Sequence, residues 1–285
     1  MKSIRYFIQA LFIYFFYFFA KLIGIKISRK IFSWLFFYVG RLFRSKKIIV
    51  KNLQFFKENI SNNDKENIIS NMWKNYGKTF IEYAFLDKLK KYNSHITISG
   101  ENIIKQIIAD SKPVIFVSGH FANFELMSME ITKRNVQLAT IYRPLNNYFL
   151  NPYMEYLRKK YICKNQIKKG INWVREAIKF LNDGCSLAMM IDQRVSEGEK
   201  IDFFGKSALT STLTAQLAIK FDLKIVPVFI ERDKKNDFRR IEFQNQIKAS
   251  DFKNKIDLTI KLNKILEEMI TRNPTQWIWT HNRWK

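Results

Sequence analysis

The sequence predicts an α/β fold: a mixed, largely parallel sheet flanked by helices, with an N-terminal helical membrane anchor. From His95 onward, short apolar runs alternate with stretches of helical periodicity, the pattern of strands joined by helical crossovers. Hydrophobic residues make up 47% and aromatic residues 15% of 285 residues, which allows a large core and excludes wholesale disorder. Tyr6 to Ile25 is an apolar stretch of about the ~20 residues that span a bilayer core, interrupted only by Gln9 and Lys21.

The anchor comes first. Its apolar run is strongly aromatic, and the residues after it are bulky and basic with no A-x-A-like site, so an uncleaved anchor fits better than a signal peptide. A second aromatic stretch, Ile31 to Phe43, is too short to span and suits an interfacial or buried helix. Lys2 and Arg5 precede the first stretch, whereas Lys26, Arg29, Lys30, Arg41, Arg44, Lys46 and Lys47 come after it. That bias places the bulk of the chain in the cytoplasm. The rival reading is a buried aromatic helix of a soluble domain.

Residues 48–92 read as helical, with Ile68, Ile69, Met72, Trp73, Tyr76, Phe80, Tyr83 and Ala84 at three- and four-residue steps. Strands are expected at Val114–Ser118, Leu138–Tyr142, Ser186–Ile191, Ile225–Ile230 and Arg240–Phe243. Helices are expected at about 101–109, 122–134, 147–161, 171–182, 209–221 and 255–271. No repeat or Pro/Gly/Ser linker divides the chain. The reading is an anchor with a basic interfacial helix over 1–47 and a catalytic domain over 48–285.

Charge narrows the partners. Lys and Arg number 49 against 25 Asp and Glu, a net +24. Such a surplus favours a polyanionic partner: nucleic acid, an anionic membrane face or a phosphorylated substrate. Arg supplies only 14 of the 49, and an AT-biased genome would also swell Lys. Residues 1–99 carry 18 basic and 5 acidic side chains, so the charge gathers beside the apolar anchor, as anionic lipid head groups require. A membrane-tethered nucleic-acid binder needs basic and aromatic residues interleaved on one face; no RNA-recognition, zinc-finger or helix-turn-helix signature is apparent, and the charge clusters beside the anchor instead. No nucleic-acid partner is expected.

Two cysteines, Cys163 and Cys185, exclude a disulfide scaffold, and three histidines, His95, His120 and His281, argue against a multi-histidine metal site. No metal and no cofactor is expected.

Chemistry concentrates in Pro113 to Met127, where an apolar strand runs into Ser118-Gly119, then His120, then a helix. Ligands of open α/β sheets gather at the carboxyl ends of strands, where this histidine emerges. Glu125 lies five residues on. On a regular helix that is about 140° round, so the pair can meet only if His120 sits in the turn before the helix. Glu125 would then orient the imidazole and stabilise its cation while the ring acts as general base. No Gly-x-Ser-x-Gly elbow is present, so the activated hydroxyl belongs to the substrate. A bare His-x-x-x-x-Glu is more often structural, and the pair needs support elsewhere.

Four segments in order supply it: SGHFANFE, IYRPLNNYFLNPYMEYLR, MMIDQRVSEG with DFFGKSALTST, and the ending PTQWIWTHNRWK. Together they resemble the late acyltransferases of lipid A biosynthesis, the lauroyl/myristoyl acyltransferase family. That family falls within the wider lysophospholipid and glycerolipid acyltransferase-like superfamily with its His-x-x-x-x-Asp/Glu motif. The resemblance covers about residues 5–285 and implies a glycerolipid acyltransferase-like fold with catalytic His120 and Glu125.

It further implies substrate-binding roles for Arg143, Asp192, Gln193, Arg194, Gly205 and Thr210. Arg143, just past a strand end, has the planar fork that clamps a phosphate. Phe203 and Phe204 can wall an acyl channel, with Gly205 allowing close backbone approach, or Phe203 can be plain core packing, the commoner role of such a residue. His281, in the Trp-rich tail, reads as structural. The implied reaction is acyl transfer from acyl carrier protein to a hydroxyl of a Kdo-bearing tetraacylated lipid A precursor, at the cytoplasmic face of a bacterial inner membrane. An alternative acceptor is a lysophospholipid or another glycolipid. An acidic carrier and a phosphorylated acceptor both suit a basic surface.

Overall fold

The apolar N-terminus folds as two helices, α1 (Lys2–Ile23) and α2 (Ile25–Phe43), broken at Gly24, whose φ of +82° is the left-handed conformation that glycine adopts without strain. The rings of Phe16 and Phe32 meet at 5.4 Å, so α2 folds back on α1. The computed structural model describes residues 2–43, 46–92, 96–233 and 239–285; Arg44 and His95 lie outside them.

The helical reading of 48–92 resolves into three pieces: α3 (Lys46–Phe56), α4 (Asn62–Glu82) and α5 (Leu86–Lys91). Ser61 starts α4 by accepting a hydrogen bond from the Asp64 amide at 3.0 Å, a side-chain N-cap that a uniform periodicity conceals. A turn of 3₁₀-helix, Tyr83–Phe85, separates α4 from α5. α2 lies along α4 at very close range: a Cβ on Gly77 would stand 2.0 Å from the Phe32 carbonyl oxygen. Only glycine permits that approach.

α1 presents an apolar stripe of Phe7, Leu11, Phe15, Phe18 and Leu22, each half exposed or more, and is long and apolar enough to cross a membrane. Its other side rests on the body of the protein at both ends. Ser3 is hydrogen-bonded to Tyr148 at 2.5 Å, Tyr14 donates to the Phe149 carbonyl at 2.9 Å, and Tyr17 packs on Phe80 and Tyr153.

The rest of the chain runs β1 (Ile96–Ser99), α6 (Glu101–Asp110), β2 (Ile115–Ser118), α7 (Glu125–Lys133), β3 (Leu138–Tyr142), α8 (Asn151–Leu157), β4 (Asn165–Lys168), α9 (Trp173–Asn182) and β5 (Ser186–Met190). It continues through β6 (Glu199–Phe203), β7 (Lys206–Thr210), α10 (Leu213–Lys220), β8 (Lys224–Arg232), β9 (Arg239–Phe243), β10 (Ile247–Lys248) and α11 (Lys255–Arg272). The sheet order is β1-β9-β8-β2-β5-β3-β4, with β10 pairing to β8 and β6-β7 forming a separate hairpin. β8, β2, β5, β3 and β4 are parallel, while β9 and β10 run antiparallel to β8. The sheet is mixed and largely parallel, as the sequence predicts.

Along β2, successive residues serve opposite faces. Ile115 and Val117 pack with Leu187, Ile225 and residues of α9, α10 and α11, whereas Phe116 packs with Val226, Val228 and residues of α6 and α7. Both faces are covered, which is why these strands read as continuous apolar runs. A third cluster joins α3, α4, α11 and the terminal tryptophans.

Candidate active site

β2 and β5 are parallel neighbours with Ser118 opposite Met190. Two residues beyond each strand end, the same register sets His120 beside Asp192. His120 Nδ1 lies 2.7 Å from Asp192 Oδ1, and the His120 backbone amide donates to Asp192 Oδ2 at 2.8 Å. Trp277 Nε1 donates to the same oxygen at 2.9 Å. Asp192 is wholly buried; burial alone would raise its pKa, but the His120 charge, the His120 hydrogen bonds and the Trp277 donor together hold it below the usual carboxylate value. Burial by itself would lower His120, yet the charge and hydrogen bond of Asp192, with the Glu125 charge behind them, raise its pKa above the ordinary imidazole value. The ring meets Phe124 edge-on at 4.7 Å. Its Nε2 has no hydrogen-bond partner among the described residues.

The loop that carries His120 is pinned on several sides. Ala122 has a φ of +45°, a left-handed conformation that costs a non-glycine residue ~1–2 kcal/mol. Its amide donates to the Gln276 carbonyl at 3.1 Å, and its carbonyl accepts from Thr79 at 2.9 Å. Asn123 donates to Glu82 at 2.8 Å. A Cβ on Gly119 would come within 2.7 Å of the Phe121 ring, so glycine there lets the turn close.

Glu125, the first residue of α7, does not supply the carboxylate on the imidazole; Asp192 does. Glu125 Oε1 instead accepts from Arg158 at 2.7 and 2.8 Å and from the Tyr83 hydroxyl at 2.5 Å. Burial would lower the Arg158 pKa, but Glu125 and Tyr83 hold it above its ordinary value. Burial, then the Glu125 charge, pushes Tyr83 well up. Arg158 opens a π-helical turn, Arg158–Ile162, that continues α8. The physical reason for the altered pairing is direction: the first turn of α7 faces the 3₁₀ turn after α4 and the π-helical turn after α8, away from the β2–β5 seam where Nδ1 points. Sequence reasoning passed over Arg158, although it closes the segment IYRPLNNYFLNPYMEYLR; nothing local marked it above Arg143.

The other expected site residues fall at several places. Arg143 follows β3, which neighbours β5, on the same carboxyl rim and two strands from His120, roughly 10 Å of strand spacing. It is exposed and makes no hydrogen bond or ion pair among the described residues. Gln193 is also exposed and without such a partner. Arg194 faces the C-terminal tail: its amide donates to His281 Nε2 at 2.8 Å and its Nε to the Lys285 carbonyl at 3.1 Å. Burial holds His281 below its ordinary pKa, in keeping with a neutral, structural ring.

Gly205 (φ +69°) and Phe204 (φ +55°) form the tight turn between β6 and β7, and a Cβ on Gly205 would meet nothing within 4 Å. Turn geometry, not close approach, accounts for this glycine. The buried Thr210 hydroxyl accepts from Arg283 at 2.7 Å and donates to the Ala208 carbonyl at 3.0 Å. Phe203 has no exposed surface and packs on Trp284 and Trp277. No cluster of His, Cys, Asp and Glu able to hold a metal exists among the described residues.

The His120–Asp192 geometry can accept a proton at Nε2 from a hydroxyl brought to the rim. Comparison with known proteins gives that chemistry a family. One curated relative, lipid A biosynthesis acyltransferase 2 of Shigella flexneri, is 22% identical over 249 residues, covering 85% of this chain and 78% of that protein. The crystal structure of the 1-acyl-sn-glycerophosphate acyltransferase PlsC from Thermotoga maritima aligns with 96% of this chain and 99% of its own, at 15% identity and a TM-score of 0.43. The profile of the family described as bacterial lipid A biosynthesis acyltransferase matches residues 1–285, and the chain belongs to that family of acyltransferases.

Proposed function

We propose that the protein transfers a fatty acyl chain from acyl carrier protein to a hydroxyl of a Kdo-bearing, tetraacylated lipid A precursor. The observation that carries the reading is the His120–Asp192 pair with Nε2 unpartnered at the strand rim. Neutral His120 takes the proton of the acceptor hydroxyl at Nε2 as that oxygen attacks the thioester carbonyl. The carbon–sulfur bond then breaks, and the imidazolium returns its proton to the departing thiolate. Asp192 fixes the tautomer through Nδ1 and stabilises the imidazolium. Glu125 contributes charge and holds Arg158; it does not orient the ring.

Arg143 and Gln193 have free polar groups to offer a phosphate or sugar. In this reading Arg194, Gly205 and Thr210 hold the tail and hairpin in place and touch no substrate directly. The apolar stripe of α1 and the basic N-terminal third support binding to anionic lipids on the cytoplasmic face of the inner membrane. Contacts of the body with both ends of α1 favour a helix embedded alongside the domain over one that leaves it. Residues 1–47 are the membrane-binding extension in this reading, and 48–285 the acyltransferase domain.

Purified full-length protein in detergent, given acylated carrier protein and either lipid A precursor or lysophospholipid, tests the proposal by mass spectrometry. Pentaacylated lipid A precursor is the expected product. Acylated lysophospholipid alone would move the function to the alternative acceptor, and turnover only with a non-carrier thioester would remove the carrier protein.

A further inference from the structure

Where the last residue of α4 meets α2 and the joined ends of β8 and β9, three arginines converge on one carboxylate. Glu82 Oε1 accepts from Arg29 Nε and Arg232 Nη1, each at 2.6 Å, and from Arg239 Nη2. Glu82 Oε2 accepts from Asn123 at 2.8 Å and Arg232 at 3.2 Å. Glu82 and Arg239 have no exposed surface, and Arg232 and Arg29 are 4% and 7% exposed.

Arg232 spends its remaining donors on Asn75 at 3.1 Å and Thr79 at 3.3 Å. The other two arginines do not. Arg29 Nη2 and Arg239 Nε and Nη1 are buried with no hydrogen-bond partner among the described residues. The planar guanidinium keeps each of these nitrogens within about 5 Å of Glu82 Oε1.

Among the described residues, Glu82 is the one carboxylate paired with the three guanidinium groups. Three positive charges therefore face one negative charge, out of water. Arginine cannot relieve the excess by losing a proton, and an uncompensated buried charge is strongly unfavourable. Burial also works against the Glu82 carboxylate, but the charges of Arg232 and Arg29 and the hydrogen bonds from Arg232 and Asn123 overcome it and keep Glu82 ionised.

We propose that this cluster is an internal binding site for a small inorganic anion of the halide class, held by the unpartnered guanidinium nitrogens of Arg29 and Arg239. A halide fits better than an oxyanion because Glu82 and Arg239 are fully enclosed and a spherical ion accepts N–H donors from any direction. The site lies outside the His120–Asp192 pair but is tied to it: Asn123, three residues past His120, donates to Glu82. A bound anion would thus fasten the N-terminal helices, through Arg29, to the sheet and to the loop that carries the histidine.

The test uses the full-length protein in detergent at fixed ionic strength, with sodium gluconate exchanged stepwise for sodium chloride or bromide. A halide that binds only the folded state raises the unfolding midpoint in proportion to its concentration below Kd and logarithmically above it. A rise of several degrees is expected, and it should flatten in Arg29→Gln, which removes one charge from the least buried part of the cluster. Crystals soaked in bromide should show an anomalous peak beside Arg29 and Arg239. Equal midpoints in gluconate and halide, or bromide peaks confined to surface lysines, would overturn the site. Should Arg29→Gln fail to fold, the bromide signal in the unaltered protein decides the matter.

Discussion

Two carboxylates flank His120, and they serve different ends. Asp192 joins the imidazole across the β2–β5 seam, and the opposite ring nitrogen has no partner among the described residues. Glu125, from the same short motif as His120, is closed off by Arg158 and Tyr83. The first pair is an incomplete hydrogen-bond network, with Nε2 unpartnered among the described residues. The second is complete and anchors α7 to the turns that follow α4 and α8. Proximity in sequence assigned the wrong carboxylate to the ring because strand register, not helix periodicity, aims Nδ1. On the proposed mechanism the open pair does the chemistry and the saturated one holds the fold.

The largest expected effect falls on the open pair. His120→Ala should lower kcat by ~10²–10⁴-fold, the usual span of a general base. Asp192→Asn should lose a comparable amount. The double variant should be little worse than either alone, since coupled catalytic groups are non-additive. Single-turnover acyl transfer by variants shown to be folded measures the cycle. Additive losses would separate Asp192 from the histidine and break the comparison.

Glu125→Gln should act first on stability. It leaves Arg158 as an uncompensated, mostly buried charge, for which a loss of about 3–5 kcal/mol is expected by denaturant unfolding. Arg158→Met in the same chain should recover part of it. The pH profile sharpens the point. On the proposed mechanism catalysis needs neutral His120, so kcat/KM should rise with pH through the raised imidazole pKa. Removing the Glu125 charge lowers that pKa, and the acid limb should move to lower pH in Glu125→Gln. Asp192→Asn should move it further, because Asp192 is the larger of the two raising influences. An acid limb that stays in place in both variants would show that another group governs the profile.

Smaller effects belong to the tail and hairpin. Thr210→Val strips a buried acceptor from Arg283 and should cost ~1–3 kcal/mol of stability with KM unchanged; a raised KM with full stability would instead show direct contact with substrate. Gly205→Ala meets no atom and suffers only backbone strain at φ +69°, a loss of about 1 kcal/mol by thermal or denaturant unfolding.

The periodicities of the chain were enough for the central strands, the long terminal helix and the mixed, largely parallel sheet. Leu138–Tyr142 matches β3 residue for residue because a strand covered on both faces reads as an apolar run with sharp edges. The edge strands β1 and β4 carry too few apolar residues to signal themselves and exist through pairing with β9 and β3. The 48–92 helix breaks where Ser61 caps α4, a local bond invisible to a periodicity count.

His120 and Asp192 were both legible by residue type and family pattern. Their pairing was not. Sequence alone determined what depends on side-chain chemistry and on nearest neighbours along the chain: apolar faces, charge, the histidine at a strand end. Tertiary structure decided what depends on register between distant strands. It set Asp192 opposite His120 across 72 residues, gave Glu125 to Arg158, and brought Arg29, Arg232 and Arg239 onto Glu82. Hydrogen bonds are short and directional, so a partner is chosen by placement to within an ångström, which a linear pattern does not encode.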